Sequence, residues 1–229
     1  MIHQRRSRVI SMIAAWLLSA LGLAACAETR YVDLDSAKRE GEENLSRTVY
    51  FRIDREFYLD FPNCVMVMRT TTAEDRAHSA QLVEAALARH LAMKVSRVIG
   101  PLQRDITARD MGADLSRPED RRALAKSLQC PALVFADVVS HDLTYVVVYS
   151  EISIGLDIRM ERTADARVLW RARHVADRSK GGLPLSPVGA LIDGFISTRF
   201  ASDREVTDSV VDDAVRRLVA TLPDIRRFR

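Results

Sequence analysis

The stretch ALVFADVV, residues 132–139, is apolar at every position except Asp137. A run that is apolar on both faces of an extended chain is typical of a buried strand, as in a parallel sheet that is covered on both sides. Cys130 and Pro131 come directly before the run and mark its beginning. We therefore predict a buried strand at 132–139.

The segments before this strand alternate between strand and helix patterns. Short apolar runs at Cys64–Met68 and Val95–Ile99 predict two strands, the first of them central. Between them, a stripe of residues at helical spacing predicts a helix: Val83, Ala86, Leu87, His90 and Leu91. A capping-box match at Ser116–Glu119 predicts a second helix that ends near Gln129. The order strand, helix, strand, helix, strand indicates right-handed crossovers onto a parallel sheet.

The segments after the buried strand show patterns of hairpins. Residues Tyr145–Tyr149 predict one strand, and the alternation of apolar and polar residues over Ile152–Met160 predicts a longer one. A turn at Thr163–Ala166 then leads into an alternating strand at 168–173. We therefore expect an antiparallel meander with one solvated face.

Two helical patterns follow the meander. After Gly181, an apolar stripe predicts a short helix that packs on the sheet, or a surface helix that meets a second subunit or lipid headgroups. The stripe consists of Val188, Leu191, Ile192, Phe195 and Ile196. A final amphipathic helix is predicted over 211–222, before Pro223.

Together these patterns predict an α/β fold with α+β character in its second half. The mixed sheet is built from strand-helix-strand-helix-strand, followed by the antiparallel meander and a C-terminal helix. Before the first strand of this series, apolar residues at odd positions from Val49 to Phe61 predict extended, half-buried chain.

The amino-terminal residues resemble a bacterial lipoprotein signal. Arg5, Arg6 and Arg8 precede an apolar run at Val9–Leu23, and the run ends in Leu23-Ala24-Ala25-Cys26, a lipobox. The alternative, a membrane-spanning anchor, needs about 20 apolar residues, more than the run provides. The resemblance implies that residues 1–25 are a signal peptide and that Cys26 becomes the acylated first residue.

Domain organisation follows from that cleavage site. Residues 26–48 are predicted to be the lipidated cysteine and a flexible tether, because residues 27–47 are polar and acidic. Residues 49–229 are predicted to form a single α/β domain. Ala27, and not aspartate, follows the cysteine. In lipoproteins of diderm bacteria, a residue other than aspartate after the cysteine implies a location on the periplasmic face of the outer membrane. The acylated Cys26 would then bind membrane lipid, which is the first predicted partner.

Net charge argues against one class of partner. The chain has 34 Lys and Arg and 31 Asp and Glu, and residues 1–25 contain three of the arginines and no acid, so the mature chain carries 31 of each. Nucleic-acid binding is driven by clustered cationic charge that releases counterions. A neutral mature chain therefore argues against nucleic acid as a partner.

The sequence has no recognisable catalytic or metal-binding motif. Its histidines are scattered singly, without His-x-x-x-His or Cys-x-x-Cys spacing, and no Gly-x-Ser-x-Gly elbow is present. His90 is interpreted as a packed helix residue. We therefore expect no enzyme activity, no cofactor and no metal site. The alternative is a periplasmic ligand-binding protein or hydrolase whose dispersed site leaves no motif.

The order of predicted elements behind a lipobox resembles a group of envelope lipoproteins that includes CsgG, PelC and LpoB, with the TolB amino-terminal domain as a fold relative. The strands at 65–68, 132–139 and 152–160 and the glycine-rich break before Val188 carry this resemblance, which spans about residues 61–222. Members of the group assemble with themselves or stimulate other envelope machines. The resemblance thus implies a non-enzymatic assembly or accessory subunit of an export, polysaccharide or cell-wall complex.

Cys64 and Cys130 remain once Cys26 is acylated, an even number in a compartment that oxidises thiols. In the sheet order that the resemblance implies, their two strands are parallel neighbours about 4.8 Å apart, within the reach of a disulfide. The resemblance therefore implies a Cys64–Cys130 bond. The alternative is two buried free thiols.

Two apolar segments are candidates for an interaction surface. Tyr145, Val147 and Tyr149 belong to a strand that is apolar on both sides, and the stripe at 188–196 is the second segment. If exposed, either one would be large enough to mark a site of self-assembly or of binding to another envelope protein. The alternative is that the second segment covers the first within one chain.

Overall fold

The computed structural model describes residues 29–34, 48–72, 77–146, 149–181 and 204–228. The strands are β1 (Arg30–Asp33), β2 (Thr48–Ile53), β3 (Cys64–Val67), β4 (Arg97–Ile99), β5 (Ala132–Val146), β6 (Tyr149–Arg162) and β7 (Val168–Gly181). The helices are α1 (Arg55–Leu59), α2 (Ala77–Leu91), α3 (Pro101–Asp110), α4 (Pro118–Ser127) and α5 (Arg204–Ala220), with a 3₁₀ helix at Ile225–Phe228.

One mixed sheet contains all seven of these strands, in the order β1-β2-β7-β6-β5-β3-β4. The pairs β1–β2, β3–β4 and β3–β5 are parallel, and β2–β7, β5–β6 and β6–β7 are antiparallel. The predicted class is confirmed: an α/β beginning, an antiparallel meander and a C-terminal helix. In the described ranges, no helix combines the length and apolar character that a bilayer span requires.

The hydrophobic core lies on both faces of the sheet. Helices α2 and α5 pack on one face and on each other. That layer includes Val83, Leu87, Val134, Leu156, Ile158, Trp170, Val215 and Leu218. On the opposite face, α3 and α4 cover β3, β4 and the beginning of β5. That layer includes Met66, Ile99, Ala108, Leu124 and Leu133.

The structure differs from the predicted tether at Arg30–Asp33. This segment is a strand that pairs in parallel with β2, from Arg30 opposite Thr48 to Asp33 opposite Phe51. Its side chains are exposed or half-buried, so its composition is that of a polar linker. Backbone hydrogen bonding at the sheet edge, which composition does not encode, makes it a strand.

Three local predictions are corrected. Phe57 lies in α1, not in extended chain, because the Asp54 side chain accepts a 2.9 Å hydrogen bond from the Glu56 N–H and begins a helix. Helix α3, with Pro101 in its first turn, occupies a stretch for which the sequence pattern predicts no element. The N-cap of α4 is Arg117, and the Ser116 hydroxyl donates to Asp114.

The predicted strand Tyr145–Tyr149 is also corrected. Val146, the last residue of β5, pairs with Tyr149, the first residue of β6. The chain therefore reverses direction within this segment, and its two ends belong to different strands. Val147 and the stripe at 188–196 lie outside the described residues.

Candidate functional site

The folded domain begins close to the proposed acylation site. Cys26 lies outside the described residues, but Thr29 is held by a 3.1 Å hydrogen bond from Arg217 of α5, and Arg30 begins β1. Three residue steps separate Cys26 from Thr29 and span at most about 11 Å. An acylated Cys26 would therefore hold this end of the sheet close to the bilayer, and not tens of ångströms away as a free tether would.

A disulfide joins the two remaining cysteines in the structure. Cys64 begins β3, Cys130 lies just before β5, and the two strands are parallel neighbours with Val65 opposite Ala132. The two Cα atoms are 4.9 Å apart, and both cysteines are buried. The bond closes a long loop that contains α2, β4, α3 and α4.

Charged side chains line the sheet face opposite α2 and α5. Asp157 in β6 is only 5% exposed and accepts hydrogen bonds from Arg171 (2.9 and 2.6 Å) and Arg173 (3.2 and 2.8 Å) of β7. Burial raises the pKa of Asp157, but the hydrogen bonds and charges of both arginines outweigh it, so the net pKa lies below its ordinary value. Arg159 pairs with Asp137 at 2.6 Å and with Glu161 at 2.8 Å.

Asp157→Asn is expected to lower the free energy of unfolding at pH 7 by about 1.5 kcal/mol, because it weakens hydrogen bonds to two charged groups. The folded-state pKa of Asp157 is depressed, so its contribution is present above about pH 3.9, the unfolded value, and is lost as the pH falls through the folded pKa. Urea titrations at several pH values measure the effect. Asp165→Asn, at an exposed pair with Arg162, is the control; an equal loss there would contradict this prediction.

A cavity of about 460 Å³ lies at one edge of this charged face. Its lining includes four arginines and one aspartate. The lining residues are Leu34, Arg52, Asp54, Arg159, Arg167, Val168, Trp170 and Arg171. Arg159, Arg167 and Arg171 already contact carboxylates, so an anion that binds here has to compete with Asp137, Asp54 and Asp157.

Two further buried charged groups lie between helices and not in this cavity. Arg104 of α3 is 1% exposed, contacts Glu84 of α2 at 2.9 Å and donates to the Val67 carbonyl at 3.0 Å. His90 of α2 lies 2.9 Å from a carboxylate oxygen of Asp212 in α5. Both contacts join packed helices, which supports the interpretation of His90 as a packed residue.

His174 of β7 is fully buried, with its Nδ1 3.0 Å from the Thr48 carbonyl. Its Nε2 has no hydrogen-bond partner in the part of the chain that the structure describes. Burial lowers the pKa of His174 and the charge of Arg217 lowers it further, whereas the Thr48 carbonyl and the charges of Asp213 and Asp177 raise it; the net shift is downward. The folded protein therefore favours the neutral imidazole more strongly than the unfolded chain does.

Because the unfolded chain binds a proton at His174 more readily, stability is expected to fall as the pH drops below about 6.5, by at most about 1.4 kcal/mol per pH unit. His174→Gln is expected to flatten this dependence between pH 7 and 5. Urea unfolding across that range measures it. His78→Gln, at an exposed position of α2, is the matched control; an identical slope in the wild type and His174→Gln would refute the assignment.

The structure describes only two of the residues predicted to form an interaction surface. Tyr145 and Tyr149 lie at the end of the β5–β6 hairpin, one on each strand. Val147, Val188, Leu191, Ile192, Phe195 and Ile196 lie outside the described residues. Within the described ranges, no three His, Cys, Asp or Glu side chains form a group that could hold a metal ion.

Sequence reasoning missed the Asp157 cluster and the Thr29–Arg217 contact. The cluster left a signal, because Asp157, Arg171 and Arg173 occupy the polar positions of two alternating strands. The contact left none: Thr29 and Arg217 are 188 residues apart in the sequence.

No protein-family model and no curated protein sequence matches the chain. Its structure is similar to several solved ones. For the PelC dodecamer from Paraburkholderia phytofirmans, the TM-score is 0.39 at 15% identity, over 75% of this chain and 96% of that chain. For a lipoprotein from Neisseria meningitidis, the TM-score is 0.42 at 13% identity, over 62% of this chain and 100% of that chain. For the LpoB C-terminal domain from Salmonella enterica, the TM-score is 0.31 at 11% identity, over 50% of this chain and 82% of that chain. PelC and LpoB belong to the group that the sequence resembles.

Proposed function

We propose that the chain is a non-enzymatic lipoprotein, anchored through Cys26 to the periplasmic face of the outer membrane, that serves as an assembly or accessory subunit of an envelope complex. The observation that carries this proposal is the lipobox Leu23-Ala24-Ala25-Cys26 behind a basic and apolar leader. The position of Thr29 supports it, because the folded domain begins only three residue steps after the cysteine.

The arrangement of charged groups supports a binding role over catalysis. Catalytic sites gather titratable groups with perturbed pKa values in a cleft. Here the two most buried ion pairs do not form such a cleft. Glu84 and Arg104 lie outside the lining of the cavity. Asp157 also lies outside it, and only its partner Arg171 lines the cavity. Their contacts hold helices and strands together.

Two measurements test the proposal. The lipidated protein, extracted in mild detergent, is expected to co-purify with a partner in fixed stoichiometry or as a defined oligomer. Light scattering on the lipid-free domain is expected to show an oligomer that Ile192→Asp or Phe195→Asp converts into a folded monomer. A lipidated protein that co-purifies with no partner, together with a lipid-free domain that is monomeric, would argue against an assembly role.

A second candidate function is the binding of an anionic ligand, which the arginine-lined cavity favours. Citrate and sulfate are suitable probes, because guanidinium groups pair with their oxygens. Binding predicts a rise in Tm that Arg167→Ala reduces, whereas Arg226→Ala, which removes an exposed arginine outside the cavity, leaves the rise unchanged. Equal responses of both variants would exclude the cavity as the site.

A further inference from the structure

Three of the arginines that line the cavity are in register across three adjacent strands. Arg52 of β2 pairs with Arg171 of β7, and Arg171 pairs with Arg159 of β6. All three line the cavity, so their side chains share one face of the sheet. The Cα atoms of paired antiparallel residues are about 4.5–5.5 Å apart, so the three positions span about 10 Å. We call Arg52, Arg159 and Arg171 the arginine row.

The arginine row concentrates positive charge at the cavity. Residues of like charge that lie directly opposite each other destabilise a pair of strands, and here two such pairs share Arg171. The nearest buried acid, Asp157, offsets this charge only in part, because it also accepts from Arg173. Among the described residues that line the cavity, Asp54 is the one acid beside four arginines. The cavity therefore favours a ligand with negative charge.

The carboxylates around the arginine row hold it in place without using all of its donors. A guanidinium group has five N–H donors. Asp157 accepts from Nε and Nη2 of Arg171, and not from its Nη1. Glu161 and Asp137 accept from Nε and Nη1 of Arg159, and not from its Nη2. The side chains of Arg171 and Arg159 are 47% and 32% exposed, so a ligand can reach these positioned groups from solvent.

This arrangement favours ligands that carry several anionic groups. A ligand with one such group gains little, because Arg159 and Arg171 already contact carboxylates. A ligand with two or more groups can contact neighbouring arginines together. Once its first group is bound, the second is held at a high effective concentration, so the affinity exceeds that of either contact alone. The register of the strands thereby selects for the number of anionic groups.

The size of the cavity indicates a small molecule. Its volume of about 460 Å³ lies within the range of roughly 300–1,000 Å³ that is usual for small-molecule sites. Leu34 and Val168 also line it, so apolar side chains lie beside the arginine row. These side chains can contact the carbon atoms that connect the anionic groups of an organic ligand.

We propose that the cavity binds a small ligand with two or more carboxylate or phosphate groups, which bridge neighbouring members of the arginine row. This inference rests on the second candidate function, anion binding in the cavity, and names the class of ligand. Guanidinium groups pair with both kinds of oxyanion through two parallel hydrogen bonds. The number of anionic groups, and not the total charge alone, determines the affinity.

Isothermal titration calorimetry tests the proposal on the mature, lipidated protein in an uncharged detergent. Citrate and tripolyphosphate supply several anionic groups, whereas acetate and sulfate supply one, and all four are compared at one ionic strength because salt screens charge. Arg171→Gln and Arg52→Gln each remove one member of the arginine row. Arg173→Gln is the matched control, because Arg173 also donates to Asp157, at 2.8 Å, but is not among the residues that line the cavity.

Citrate or tripolyphosphate is expected to bind the wild type at least about ten-fold more tightly than acetate or sulfate does. The tighter of the two identifies the ligand as a carboxylate or a phosphate. Arg171→Gln and Arg52→Gln are each expected to weaken that binding by about ten-fold, because each removes hydrogen bonds to a charged group, and Arg173→Gln by less than about two-fold.

Equal affinities for ligands with one and with several anionic groups would overturn the bridging by the arginine row and leave anion binding in place. Equal weakening by Arg171→Gln and Arg173→Gln would also overturn it, because the binding would then follow the overall charge of this face. If Arg171→Gln does not fold, the comparison of Arg52→Gln with Arg173→Gln decides. No binding of any of the four probes would overturn both this inference and the second candidate function.

Discussion

Cys26→Ser is expected to move most of the protein from the membrane fraction to the soluble fraction, or to leave the precursor uncut. Each buried methylene of an acyl chain contributes about 0.8 kcal/mol, and two or more chains hold a protein firmly where one chain does not. Fractionation after labelling with an alkyne analogue of palmitate measures both attachment and modification.

Ala27→Ser is the matched control for this experiment, because it changes the neighbouring residue and keeps the cysteine. This variant is expected to remain labelled and membrane-bound. A correctly cleaved, unlabelled Cys26→Ser protein whose membrane fraction is unchanged would end the proposal of a lipid anchor.

Removal of the Cys64–Cys130 disulfide is expected to lower the free energy of unfolding by about 4 kcal/mol. The two cysteines are 66 residues apart, and in the chain-entropy account a cross-link that closes a loop of this length restricts the unfolded state by about that amount. A domain with an unfolding free energy of about 5–15 kcal/mol loses a large share of its stability from such a change. Urea unfolding of the double variant Cys64→Ala/Cys130→Ala measures the loss.

The reductant dithiothreitol supplies the control for this variant. It is expected to destabilise the wild type toward the level of the double variant and to leave the double variant unchanged. Alkylation of the freshly isolated, non-reduced mature protein, followed by mass spectrometry, is expected to find no free thiol at Cys64 or Cys130. Two alkylated cysteines would contradict the bond.

The charged cluster around Asp157 depends on the register between β6 and β7, which the sequence alone does not show. The sequence shows Asp157, Arg171 and Arg173 as polar positions of two alternating strands. Only the pairing of β6 with β7 brings Asp157 opposite Arg173 and makes a nearly buried carboxylate the acceptor for two arginines. In the same way, the lipobox predicts acylation at Cys26, but only the contact of Thr29 with Arg217 shows how near the domain begins to that residue.

By itself, the sequence determined the elements whose side chains alternate between core and solvent. The strand over 152–160 and the helical stripe from Val83 to Leu91 lie where predicted, because burial of one face imposes a period on the side chains. The strand predicted at 132–139 forms the first part of β5, but β5 continues to Val146 and Val139 in it is exposed. Tertiary structure alone decided that Arg30–Asp33 is a strand and that Tyr145–Tyr149 spans a hairpin. Both depend on backbone hydrogen bonds to a partner strand, and the backbone offers the same donors and acceptors at nearly every residue, so no side-chain pattern records which partner it meets.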